Sequence, residues 1–159
     1  MHLDDYSCVL CTNGPEETCF HLFFEFPFSL ACWNSIGIHW DFTLQPLDMV
    51  IQARTDFGSH IFREIFISAC WTIWKARNGI IFDNKSTSPV EWRAALREDL
   101  SLVCIKARKS IADPLSLWRD SCLWCCFSFS LGLYKPCILL SLYICTLYSC
   151  SYIYKKEKK

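Results

Sequence analysis

Residues 61–74 read IFREIFISACWTIW, and their spacing decides the fold class. Ile61, Phe62, Ile65, Phe66, Ala69, Cys70 and Ile73 recur three and four positions apart, which lines one face of an α-helix, with Trp71 and Trp74 on its flank. Asn78-Gly79 predicts an end or a bend of this helix. The next start is Ser88-Pro89-Val90-Glu91: a hydroxyl that can cap, a proline at the first helical position, and a glutamate that completes a capping box. From there Trp92, Leu96, Leu100, Val103 and Ala107 carry a second apolar stripe toward Asp113-Pro114. The economical expectation for residues 59–113 is a helical hairpin.

Outward from the hairpin, the N-terminal side reads as a small module over residues 1–58. Cys8-Val9-Leu10-Cys11 is a knuckle-like turn, and Thr12-Asn13-Gly14-Pro15 is a second turn signal. Glu16 and Glu17 suit the first turn of a helix, where carboxylates meet the positive end of the dipole. Phe20, Phe23 and Phe24 then predict a short amphipathic helix over 16–25. Pro27 fits the first position of another helix, with Leu30, Cys32, Trp33 and Ile36 inward and Gly37 at its end. Residues 38–58 read as loop. No run alternates as a strand does, so the expected fold class is mainly α.

The composition is 52% hydrophobic and 16% aromatic with 20% charged, too apolar for a disordered chain. Formal net charge is zero, yet the pieces differ: residues 1–58 set eight carboxylates against Arg54, whereas residues 59–159 are net basic. The opening Met1-His2-Leu3-Asp4-Asp5 has neither a basic nor an apolar stretch of a secretory signal, so the expectation is no secretion, with membrane, nucleus and cytoplasm open. Under that expectation disulfides are disfavoured, and closely spaced members of the twelve cysteines read as metal ligands.

A tetrahedral zinc site takes about four soft or borderline donors. Cys8 and Cys11 offer two from one turn, and His21 offers a third from the helix that follows. Cys19 and Cys32 are candidate substitutes for a fourth. The competing reading has Cys8 and Cys11 as small buried apolar residues and His21 as a helix histidine with an ordinary partner.

At this point the words of the sequence add up. Cys8-Val-Leu-Cys11, Glu17-Thr18, His21-Leu22-Phe23-Phe24-Glu25, Pro27-Phe28-Ser29 and Cys32-Trp33 resemble the zinc-binding domain that follows reverse transcriptase in plant non-LTR retroelements. Trp71-Thr-Ile-Trp74-Lys-Ala-Arg77-Asn78, with Ile81-Phe82, is similar to the segment after that domain, so the likeness spans roughly residues 6–110. Where that family carries its fourth ligand, a cysteine, this chain has Phe26, which cannot bind metal. The resemblance therefore implies a retrotransposon-derived fragment, with a site short of one ligand and a core short of one packing layer.

Nothing in the sequence argues for an enzyme. The only Asp pair is Asp4-Asp5, glycine-rich phosphate or nucleophile motifs do not occur, and Glu98-Asp99 is expected on a solvated helix face. Single-stranded nucleic acid would have to be met by Lys75 and Arg77 beside Trp71 and Trp74, and by Lys106, Arg108 and Lys109.

The last expected piece is an apolar tail over 114–159, rich in Cys, Tyr and Leu. Within it, residues 137–154 (CILLSLYICTLYSCSYIY) carry no charge, the minimum length for a membrane span. Tyr148 in mid-segment and the lysines that follow suit neither topology well. A membrane-associated protein anchored there is the alternative to a zinc-binding module.

Overall fold

Proline at the first helical position opens three helices: α1 (Pro27–Ser35), α2 (Pro46–Phe57) and α4 (Pro89–Lys106). There the missing N–H costs nothing and the ring sets a helical φ. α3 spans Phe62–Asp83 and α5 spans Lys109–Trp124, and a five-residue π-helical turn, His21–Glu25, precedes α1. These elements come from a computed structural model that describes Cys8, Cys11 and residues 16–124. The chain is mainly α as expected, with no strand among the described residues.

α4 packs between α3 and α5, and α1 lies against both α4 and α3. The core joins Ile65, Ala69 and Ile73 of α3 to Trp92, Leu96 and Leu100 of α4, Leu115 of α5 and Trp33 of α1, all fully buried. The two apolar stripes read from the sequence thus face each other. Aromatic rings extend the core toward the π-turn. Trp33 stacks on Phe66 at 5.7 Å, Phe66 on Phe62 at 5.8 Å, and Phe24 lies 6.4 Å from Phe66.

Ser88 caps α4 as its sequence predicts. Its hydroxyl accepts from the Glu91 N–H at 3.2 Å, and the Glu91 carboxylate accepts from the Ser88 N–H at 2.7 Å. Ser88→Ala is expected to lower stability by about 1 kcal/mol, read as a drop in the urea midpoint with the slope unchanged.

Glu16 and Glu17 lie ahead of the first helical segment rather than in its first turn, since helix begins at Cys19 and not at residue 16. Four further boundaries differ from the sequence expectation. Residues 38–58 are not all loop, since α2 runs from Pro46 to Phe57, burying Met49, Val50 and Ala53. It stops at Gly58, whose φ of 69° is left-handed. Asn78-Gly79 does not end α3, because a glycine in a helix interior costs only about 1 kcal/mol. The helix ends instead at Asn84 (φ 51°), with the Lys85 N–H donating to the Gly79 carbonyl at 3.0 Å. The second arm of the hairpin stops at Lys106, not Asp113. The extended backbone of Ala107 turns the chain so that Leu115 enters the core and Trp118 meets Phe57 at 6.0 Å.

Fourth, α5 runs through Pro114, so no boundary falls between residues 113 and 114. A proline inside a helix leaves the carbonyl four residues back without its N–H partner. That carbonyl belongs to Ser110, and the His60 side chain meets it, Nε2 to oxygen at 2.9 Å. Because a carbonyl only accepts, Nε2 carries the proton. At Pro27, which opens α1 rather than interrupting it, Trp33 Nε1 donates to the Phe23 carbonyl of the preceding turn at 2.7 Å. Pro114 reads as a break in the sequence, and a distant side chain makes its lost bond good.

The apolar segment at 137–154, with its candidate membrane span, lies outside the described residues. Among the described residues, no helix is long and apolar enough to cross a membrane.

Candidate metal centre

Cys8, Cys11 and His21 come together as the sequence expects, their ligand atoms all within 4.8 Å of one another. The turn holding the two thiols is closed by the Cys11 N–H donating to the Cys8 carbonyl at 3.1 Å. His21 is placed by Thr18, whose hydroxyl accepts from the His21 N–H at 3.0 Å and whose carbonyl accepts from the Leu22 N–H at 2.9 Å. This is the usual way a threonine starts a helix.

The segment then winds as a π-turn. The Phe26 N–H reaches back to the His21 carbonyl at 2.8 Å, one residue further than an α-helix allows. Pro27 follows and donates nothing, and two carbonyls of the turn take side-chain donors: Ser29 Oγ to Leu22 at 2.6 Å, and Trp33 Nε1 to Phe23. Buried Ser29 and Trp33 thereby hold the turn, and with it His21, on α1.

Within this frame the imidazole is sided. Its Nε2 lies 3.4 Å from Cys11 Sγ, while Nδ1 faces the Glu25 carboxylate at 3.5 Å. His21 is buried, and Nδ1 has no close hydrogen-bond partner. A metal at Nε2 would fix the proton on Nδ1 and direct it at Glu25, which is how carboxylates orient metal-bound histidines. Glu25 was absent from the ligand reading; its signal is the one-turn spacing from His21.

Desolvation, the neighbouring Cys8 thiol and, to a smaller degree, the Glu17 charge hold the Cys11 thiol above its ordinary value. A cation binding both sulfurs must therefore displace protons. Glu17 is itself neutralised by a half-buried ion pair with Arg77 of α3, which fastens the site to the helical body.

The two substitute ligands do not join the cluster. Cys19 is exposed, and Cys32 sits in the core of α1, where burial pushes its thiol far above the usual range. Phe26 is buried, its ring 6.3 Å from the His21 ring, and offers no donor atom. Cys8, Cys11 and His21 alone can hold a metal ion among the described residues.

The basic residues proposed for nucleic acid are divided. Lys75 pairs with Asp99 of α4 at 2.8 Å and Arg77 with Glu17, which offsets both charges toward a phosphate. Asp99 is thus a partner between helices rather than a solvated charge. Lys106, Arg108 and Lys109 are exposed where α4 meets α5. No family model, curated protein or solved structure matches this chain.

Proposed function

We propose that this chain is a zinc-stabilised helical module, derived from the zinc-binding region of a plant retroelement reverse transcriptase and without catalysis of its own. The observation that carries the metal is the Cys8, Cys11 and His21 cluster with Glu25 behind the imidazole. Tetrahedral zinc, with Zn–S of about 2.3 Å and Zn–N of about 2.0 Å, sets its donors about 3.5–3.8 Å apart. The Cys11–His21 pair already stands at 3.4 Å, so binding needs only a small closing of the cluster. Two thiolates cancel the charge of the ion, which suits a site that is half-buried. The descent is supported by a contact between its two separate words: Glu17 of the first pairs with Arg77 of the second.

Elemental mass spectrometry on the purified chain tests the metal. One zinc per chain is expected, falling to near zero in His21→Ala. Zinc bound only by a Phe26→Cys variant would overturn the reading for the natural chain. Zinc retained by His21→Ala would overturn the ligand set.

A further inference from the structure

Resting on the zinc reading, we propose that the fourth coordination position of this ion is open to solution and takes an exchangeable thiolate from a small-molecule thiol.

Four observations lead there. The donor set stops at three among the described residues: Cys19 and Cys32 stand outside it, and Glu25 lies 3.5 Å from Nδ1, on the other side of the ring from Nε2. The residue that closes the π-turn, Phe26, covers His21 with a ring that has no lone pair to offer. Burial is uneven: Cys8 and His21 are buried while Cys11 is partly exposed, so among the described residues the Cys11 side is the one that faces water. Last, two thiolates and one neutral imidazole leave a zinc complex with no net charge, which one more anion can join. Structural zinc sites are closed by four protein donors, and sites with three keep one position for an outside ligand. Thiolates favour soft metal centres, so among small anions a thiol competes well.

The exchange is simple in its balance. One sulfur–metal bond forms, one solvent ligand leaves, and the thiol proton passes to bulk water; no oxidant or reductant takes part.

Cobalt(II) replaces zinc in such sites and makes the sulfur ligands visible. The full chain is loaded with cobalt under argon, without thiol, and its sulfur-to-metal charge-transfer band is followed while 2-mercaptoethanol is added. A saturable rise of about 1.5-fold is expected, two thiolates becoming three. A dilution series without thiol runs beside it. A band that binds cobalt stoichiometrically but ignores 2-mercaptoethanol would overturn the proposal while leaving the metal site standing. A third-thiolate signal that grows with protein concentration before any thiol is added would assign the position to a cysteine of a second copy, and so also overturn it. Failure to bind cobalt or zinc at all would defeat both this proposal and the reading beneath it.

Discussion

Chelating the metal is expected to free residues 8–26 while α3, α4 and α5 stay folded. The site and the helical core share few supports. Cys8 and Cys11 reach the body through the metal donors and the Glu17–Arg77 pair, and the π-turn leans on it through Phe24 and Trp33. The core around Ile73, Leu96, Leu100 and Leu115 draws mainly on α3–α5, none of these four residues is a ligand, and Leu22 and Trp33 join it from the side of the π-turn. A ligand that binds only the folded site stabilises it by about 2.7 kcal/mol at one hundred times its Kd, which is ~100-fold in local opening. Hydrogen exchange reads this directly. On adding a chelator to the zinc form, the Leu22 and Phe26 amides should exchange about that much faster, and the amides of Ile73 and Leu96 should not change. Unchanged exchange at Leu22 would deny the metal a structural role. Collapse of protection across α3–α5 would mean that the two regions form one cooperative unit.

Trp33→Ala is expected to be the most damaging single substitution described here. Trp33 is completely buried, stacked on Phe66 and edge-on to Trp40 at 5.1 Å. Truncating such a ring costs about 3–5 kcal/mol through lost burial and the cavity left behind. The Phe23 carbonyl also loses its indole partner, a further cost of about 1–3 kcal/mol if no water replaces it. Against a total of about 5–15 kcal/mol, the variant should stand at the edge of unfolding. Trp33→Phe separates the two costs, since it keeps most of the ring but removes the N–H. Trp71→Ala is the control: half-exposed, stacked on Trp74 at 4.9 Å and with the Lys75 ammonium 5.8 Å from its ring centre, it should cost about 1 kcal/mol. Urea unfolding followed by far-UV circular dichroism ranks the three. If Trp33→Ala and Trp71→Ala lost similar stability, the packing of α1 on α3 described above would be wrong.

The parts of this fold legible in sequence are those whose causes are local. The α3 stripe from Ile61 to Ile73 and the α4 stripe from Trp92 to Leu100 follow from helical period alone, and both are buried. Ser88 and Glu91 lie within one turn, so their capping box could be read without any tertiary contact. Cys8, Cys11 and His21 were also legible, because a turn and one short helix bring them together. α2 was missed although Pro46, Asp48 and Gly58 mark its ends. Its inward residues Met49, Val50 and Ala53 are too few to show a period against its polar remainder.

Where the answer depended on residues far apart, sequence reading misplaced it. Pro114 looked like a stop because its lost hydrogen bond is visible in sequence, while its repair by His60 comes from fifty residues away. Asp99 looked solvated because Lys75, its partner, sits on another helix. Phe26, known from sequence only as a residue that binds no metal, proved to be the buried end of a π-turn.

By itself, then, the sequence determined the helical class, the two main apolar faces, the α4 cap and the three metal-competent side chains. Each of these rests on helical spacing, on one tight turn, or on the ten residues that join Cys11 to His21. Only the tertiary structure decided where α4 breaks, that α5 passes through its proline, that Arg77 anchors the site through Glu17, and that Cys32 belongs to the core rather than the cluster. Those outcomes are set by burial and by satisfying buried polar groups, and such demands are met by whichever residue the fold brings near.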